Sequence, residues 1–298
     1  MRVLISGASG LVGHALTERL RSAGDTVQTL VRRRPDESKG EIGWDPDAGK
    51  LDSSRLQGVD AVVHLAGKPL DSRWTETTKK AIRGSRVRGT RMLAEVASQL
   101  QERPKVFISA SAVGFYGSRG DESLDETSGP GTGFLADVCR QWEEAAAAAR
   151  GAGIRTVQLR SGLVLSRKGG MLARVLAPFK MGAGGVVGTG RQWMSWISLD
   201  DATAAIQYAI GVAELSGPVN LTAPQPVCNA DFTRTLGKVL GRPTLVPLPA
   251  FAVKLLLGEM GDELLLAGQK VLPRKLLASG FRFAHADLES ALRWALAR

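Results

Sequence analysis

Arg2-Val3-Leu4-Ile5-Ser6, followed by Gly7-Ala8-Ser9-Gly10-Leu11-Val12-Gly13, is the stretch on which the reading of this 298-residue chain turns. The first five residues are a short apolar run of strand type. The glycines permit a tight turn, and the segment from Leu11 to Ala23 has the apolar spacing of a helix. A strand, a glycine turn and a helix start in that order bring backbone N–H groups and the positive end of a helix dipole to one point. A pyrophosphate binds at such a point. Gly7, Ser9, Gly10, Leu11, Val12 and Gly13 are therefore candidate cofactor-binding residues.

Outward from this stretch, apolar runs at Thr26 to Val31, Ala61 to Leu65, Val106 to Ser109 and Ile154 to Leu159 alternate with helical segments from about Thr77 to Gln101 and Leu135 to Arg150. The alternation predicts βαβ units in a parallel sheet covered by helices. The expected fold class is α/β, a Rossmann-type doubly wound parallel sheet with a smaller mixed, mainly helical C-terminal lobe. Residues 1–165 are assigned to the dinucleotide-binding domain, its sheet completed by later segments. Residues 166–298 are assigned to a substrate lobe whose last part, about 249–298, is helical. Within that lobe a glycine-rich loop at 182–190 precedes Trp193 and Trp196, and Asp200-Asp201 reads as an acidic helix cap. Pro243, Pro247, Pro249 and Pro273 interrupt the helices that follow.

Composition narrows the function. No run of about 18 apolar residues exists to span a bilayer, and Met1 leads straight into a strand, so a cytoplasmic protein without membrane contact is expected. Cys139 and Cys228 are the only cysteines; they form neither a disulfide framework nor a metal motif, and no metal site is assigned. The net charge of +10 suits a phosphorylated ligand, nucleic acid or anionic lipid. No aromatic residue lies within the densest basic segment, Lys79 to Arg91, which argues against a nucleic-acid surface built on base stacking.

A protein selective for NAD usually places a carboxylate after the second strand to hold the ribose 2′-hydroxyl. Here Arg32-Arg33-Arg34 follows Val31. Guanidinium groups suit a 2′-phosphate, so Arg32 and Arg33 join the candidate site and NADP(H) is the expected cofactor.

The glycine pattern, His64-Leu65-Ala66-Gly67, Gly89-Thr90 and Ser109-Ala110-Ser111 resemble the extended short-chain dehydrogenase/reductases. Ser109 to Gly117, Arg160-Ser161-Gly162, Trp196 to Asp201 and Gly268 to Pro273 are similar to the atypical NAD-dependent epimerase/dehydratase-like branch, which carries a short C-terminal domain of unknown function. The resemblance spans nearly the whole chain. It implies that Leu65, Ala66, Gly67, Ser109 and Ala110 line the cofactor and that Arg86 reaches its phosphates from the long helix. It also implies that Ser111 is the catalytic serine. Dimerisation through two helices is common in such proteins, so a homodimer is a further expectation.

The chain departs from that pattern where chemistry is concentrated. The resemblance calls for a tyrosine and, four residues on, a lysine at a helix start, yet Phe134 and Val138 stand there. Tyr116 is the candidate substitute acid, with a packing role as the alternative. Met194 replaces the arginine that grips diphosphate in nucleotide-sugar enzymes, which favours a different small-molecule substrate. The expected function is an NADP(H)-binding oxidoreductase or epimerase-like protein with a non-standard site. The alternative is a catalytically silent NADP(H)-binding redox sensor or RNA-associated scaffold.

Overall fold

The structure, a computed structural model, describes residues 1–297. β1 (Arg2–Ser6) is followed by α1 (Leu11–Ser22), then by β2 (Thr26–Val31) parallel to β1. β3 (Glu41–Asp45) adds in parallel, and β4 (Lys50–Leu51) in antiparallel, beyond β2. The chain then returns to the other side of β1 with β5 (Ala61–His64), α2 (Glu76–Gln99) and β6 (Val106–Ala112). Next come β7 (Ser123–Leu124), α3 (Phe134–Glu144), α4 (Ala147–Gly151) and β8 (Arg155–Ser161), which pairs with β6. The later part holds β9 (Leu163–Leu165), α5 (Gly170–Lys180), β10 (Trp193–Met194), β11 (Trp196–Ser198), α6 (Leu199–Gly211) and β12 (Gly217–Leu221). It ends with β13 (Val227–Cys228), α7 (Asn229–Leu240), α8 (Ala250–Leu257), α9 (Glu259–Gly261), β14 (Lys270–Val271), α10 (Arg274–Ala278) and α11 (Leu288–Ala297).

The large sheet runs β12-β8-β6-β5-β1-β2-β3-β4. Strand order therefore reverses between β1 and β5, and the crevice beyond the carboxyl ends of those strands is where such folds hold a ligand. β1 shows why both faces are covered. Val3 and Ile5 point into the core beneath α1 and α6, whereas Leu4 points into the core beneath α2 and α4. Each of the three is fully buried, a contribution of roughly 1.5–3 kcal/mol per side chain.

A third core, built by Leu172, Leu176 and Phe179 of α5 with Phe232, Leu236 and Leu292, underlies the C-terminal lobe. That lobe is tied back to the sheet: β12 forms one edge strand, β14 pairs with β7, and α10 packs on β12.

Two elements differ from expectation. The helix expected over Leu135 to Arg150 is broken at the buried Ala145 and Ala146, where the chain turns so that Ala146 and Ala149 press into the core beneath α2. The cap of α6 is Ser198, whose hydroxyl accepts from the Asp201 N–H at 2.9 Å. Asp201 is instead buried and accepts from the amides of Ala284 and His285. Asp200 pairs with Arg19 of α1.

Candidate functional site

The turn after β1 is shaped by what it excludes. Gly7 has φ +76°, and a Cβ there would lie 2.8 Å from the Ala66 nitrogen; one on Gly13 would lie 2.2 Å from the Gly7 oxygen. The turn is thus pressed between the β5 loop and the first turn of α1. The Gly10 N–H bonds the Gly7 carbonyl at 3.0 Å, and Gly10 caps α1 with no side chain. The amides of Leu11, Val12 and Gly13 consequently have no acceptor among the described residues, as expected of a helix start, and the first turn carries no acidic residue. Ser9 and Gly10 are exposed, and Leu65 and Ala66 form the facing wall at the end of β5. The residues read from the glycine motif are therefore brought together, leaving donors for an anion at a positive helix end.

Beyond β2 the arginines separate in role. The Arg33 guanidinium forks onto Glu41, at 2.8 and 2.6 Å, and this hydrogen bond holds the Glu41 carboxyl below the usual carboxylate range. Arg33 is committed within the fold. Arg32 is exposed and has no side-chain partner among the described residues.

β6 corrects the expectation placed on its serines. Side chains alternate along a strand, so Ser109 and Ser111 share one face and Ala110 and Ala112 the other. Ser109 has no exposed surface, and its hydroxyl bonds only a neighbouring carbonyl at 3.4 Å. The Ser111 hydroxyl donates to Glu143 Oε1 at 2.8 Å beneath the cleft, and Ala112 faces the cleft instead.

Tyr116 is likewise fully buried. Its hydroxyl donates to Asn220 Oδ1 at 2.7 Å and accepts from Arg160 Nη1 at 3.0 Å. Burial pushes its pKa up to about 12. Arg160 in turn forks onto Glu143, at 2.8 and 2.9 Å, and stacks on Phe115 with 3.5 Å to the ring centre. Ser111, Glu143, Arg160, Tyr116 and Asn220 thus form one buried polar chain linking β6, α3, β8 and β12. Both residues expected to act on substrate lie within it, and Glu143 carries no sequence signal that would reveal it.

The cleft beside these residues has a volume of about 400 Å³. Ala112, Leu135 and Val138 form its inner wall, and Met171, Phe179, Met194 and Phe232 face them from the C-terminal lobe. The Phe134 ring turns toward the start of α2, against Trp74 and between Lys79 and Arg83. Cys139 also borders the cleft, with burial pushing its thiol up to about 12. Glu263 closes one side: its carboxylate accepts from the Phe134 and Leu135 amides at 2.8 and 3.0 Å, capping α3, whose own cap residue is Gly133.

Arg86 lies where the crevice meets the cleft, beside Gly67 and over the Trp142 ring at 5.1 Å. Its Nη1 donates to the carbonyls of Lys68 and Ile82, at 3.0 and 3.1 Å. Burial lowers its pKa, and no carboxylate pairs with it among the described residues.

The profile of the NAD dependent epimerase/dehydratase family matches residues 3–221, and that of a domain of unknown function, DUF1731, matches residues 248–295. An epimerase family protein of Mycobacterium bovis is 46% identical over 297 residues, 99% of this chain and 98% of its own length. The crystal structure of human epimerase family protein SDR39U1 (isoform 2) with NADPH has a TM-score of 0.90 and 35% identity, covering 100% of this chain and 99% of that one. A nucleoside-diphosphate sugar epimerase from Corynebacterium glutamicum is 40% identical with a TM-score of 0.83, covering 99% of this chain and 58% of that longer one.

Proposed function

Because the chain belongs to the NAD dependent epimerase/dehydratase family, we propose that it is an NADP(H)-dependent oxidoreductase that reduces a small apolar acceptor without a protein acid at the reacting atom. The reading rests on one observation: beside an intact dinucleotide crevice, Ala112 and Val138 line the cleft while the hydroxyls of Ser111 and Tyr116 are turned away from it. The cofactor fits the residues present. The free amides of Leu11, Val12 and Gly13 would receive the diphosphate, the Leu65-Ala66 backbone would wall the ribose side, and Arg32 would take the 2′-phosphate. The relative solved with NADPH supports this choice.

Bound NADPH would supply a hydride, which the acceptor takes up together with one proton from water. The chain's own part is positional. Leu135, Val138 and Phe179 shed water from the acceptor's apolar body, and the Glu263 contact to α3 holds that wall in place. A positioned acid contributes about 10²- to 10⁴-fold to carbonyl reduction. Without one, acceptors that stabilise the negative charge themselves, such as quinones and enones, are favoured over simple ketones.

The experiment is NADPH oxidation with matched quinones, enones and ketones of similar size. Quinone or enone turnover at least 100-fold faster than ketone turnover is expected, by the magnitude above. Ketone reduction as fast as quinone reduction overturns the mechanism. Absence of all turnover, unchanged by Phe134→Tyr with Val138→Lys, leaves the second reading that the apolar inner wall favours, a silent NADP(H)-binding redox sensor.

A further inference from the structure

The C-terminal lobe leaves large apolar side chains in water. Met181, Leu245, Phe251, Leu255 and Leu256 are each at least 70% exposed. Within α8, Phe251 and Leu255 lie one turn apart on the same side, while Val253, its only buried residue, turns inward. A helix face of this composition left open marks a place where a partner binds. The stretch before α8 is hydrogen-bonded to the rim of the cleft: the amides of Val246 and Leu248 donate to the carbonyls of Gly184 and Val186 at 3.2 and 2.8 Å, and Gly185 and Val187 line the cleft. Leu264 is exposed and lines it too. The open apolar face therefore adjoins the cleft.

Charge on this part of the lobe is one-sided. Residues 162–199 and 232–258 contain no Asp or Glu. The acids that come next are spent: Glu259 pairs with Lys79, Asp262 with Lys254, and Glu263 holds the amides at the start of α3. Lys180, next to Met181, and Arg242, three residues before Leu245, are exposed and have no ion pair among the described residues. A Cβ on Gly182 would lie 3.8 Å from Pro243, so the turn carrying Lys180 and Met181 sits beside the one carrying Arg242. A second copy of the chain fits such a surface poorly, because a two-fold contact sets a patch against itself and brings these cations against like charges.

We propose that the C-terminal lobe docks by this face on an anionic phospholipid surface, with Phe251, Leu255 and Leu256 entering among the lipids and Lys180 and Arg242 meeting the headgroups. Among the described residues no helix is long and apolar enough to cross a membrane. None is needed, since a surface-lying segment binds through buried apolar area together with attraction to anionic lipid. The sequence excludes a span and leaves a docked face open. Docking brings the cleft to the bilayer, whatever acceptor the cleft takes.

The test is sedimentation of the full chain with vesicles of phosphatidylcholine, or of phosphatidylcholine and phosphatidylglycerol in equal parts, at physiological salt. Binding to the anionic vesicles at least tenfold tighter than to phosphatidylcholine is expected. Phe251→Ser with Leu255→Ser should weaken that binding at least tenfold, and Lys180→Glu with Arg242→Glu should erase the preference. Lys80→Glu with Arg91→Glu, the same change of charge at exposed cations of α2, should leave binding within about twofold of wild type. Every substitution is at an exposed position, circular dichroism should show each chain folded, and the two pairs on the lobe judge the proposal independently. Failure of wild type to bind the anionic vesicles overturns the proposal. So does binding that survives in the Phe251 and Leu255 variant, or that falls as far in the α2 variant as in the Lys180 and Arg242 one, which would assign it to the net charge of the chain. A wild-type dimer in size-exclusion chromatography that the Phe251 and Leu255 variant splits also overturns it and gives the face to a second copy.

Discussion

Two residues carry the sharpest expectations. Arg32 is the first guanidinium after β2 and is left open, since Arg33 is spent on Glu41. Arg32→Ala should weaken NADPH at least tenfold, about 1.4 kcal/mol, and leave NADH within twofold; equal losses for both would remove the 2′-phosphate contact. His64 is fully buried, bonded through Nδ1 to Ser6 and edge-on to Trp44, and burial lowers its pKa from 6.5 to about 4. Above pH 6.5 the ring is neutral folded or unfolded, and its contribution to stability is complete. As pH falls from 6.5 to 4 the unfolded chain takes up a proton that the folded chain resists, so stability declines by about 3 kcal/mol. Urea midpoints across that range should fall more steeply for wild type than for His64→Gln; parallel curves would show that His64 is not the titrating group.

At the scale of elements, legibility in the sequence followed the strength of the local pattern. β1, the glycine turn and α1 are readable because Gly7 and Gly13 answer to steric demands within a few residues of themselves. β3 is not: its two inward apolar residues, Ile42 and Trp44, are too few to show a period. The three open amides of α1 follow from the motif, but the sealing of Ser111 does not. Its partners Glu143 and Arg160 lie 32 and 49 positions away, and only the register of β6 on β8 brings Ser111 opposite Arg160. Period-two alternation within β6 does separate Ser111 from Ala112, and it is the signal that assigns the inner wall to alanine. The cap of α3 was hidden for a similar reason, because Gly133 offers no side chain and the carboxylate comes from Glu263, 130 positions on by numbering.

The whole molecule is held by exchanges between its beginning and its end. Val271, Leu276 and Leu292 are buried, Asn220 of β12 donates to the Leu272 carbonyl, and Asp201 anchors Ala284 and His285. A chain ending at residue 247 loses all of these, at about 2–5 kcal/mol for each large core side chain removed. Such a truncation should give insoluble protein or a transition without cooperativity. A soluble truncated chain that unfolds cooperatively would show that the lobe is dispensable. The late arrival of β12 also has a consequence for the birth of the protein. β8 ends at Ser161 and its edge partner begins at Gly217, 56 positions later by subtraction. At about 5–20 residues per second on the ribosome, β8 therefore waits roughly 3–11 seconds for its neighbour to be made. Throughout that interval the nascent polypeptide presents an unpaired strand edge, the kind that recruits other unfinished chains, so crowded polysomes and scarce chaperones are the conditions under which its yield should suffer most.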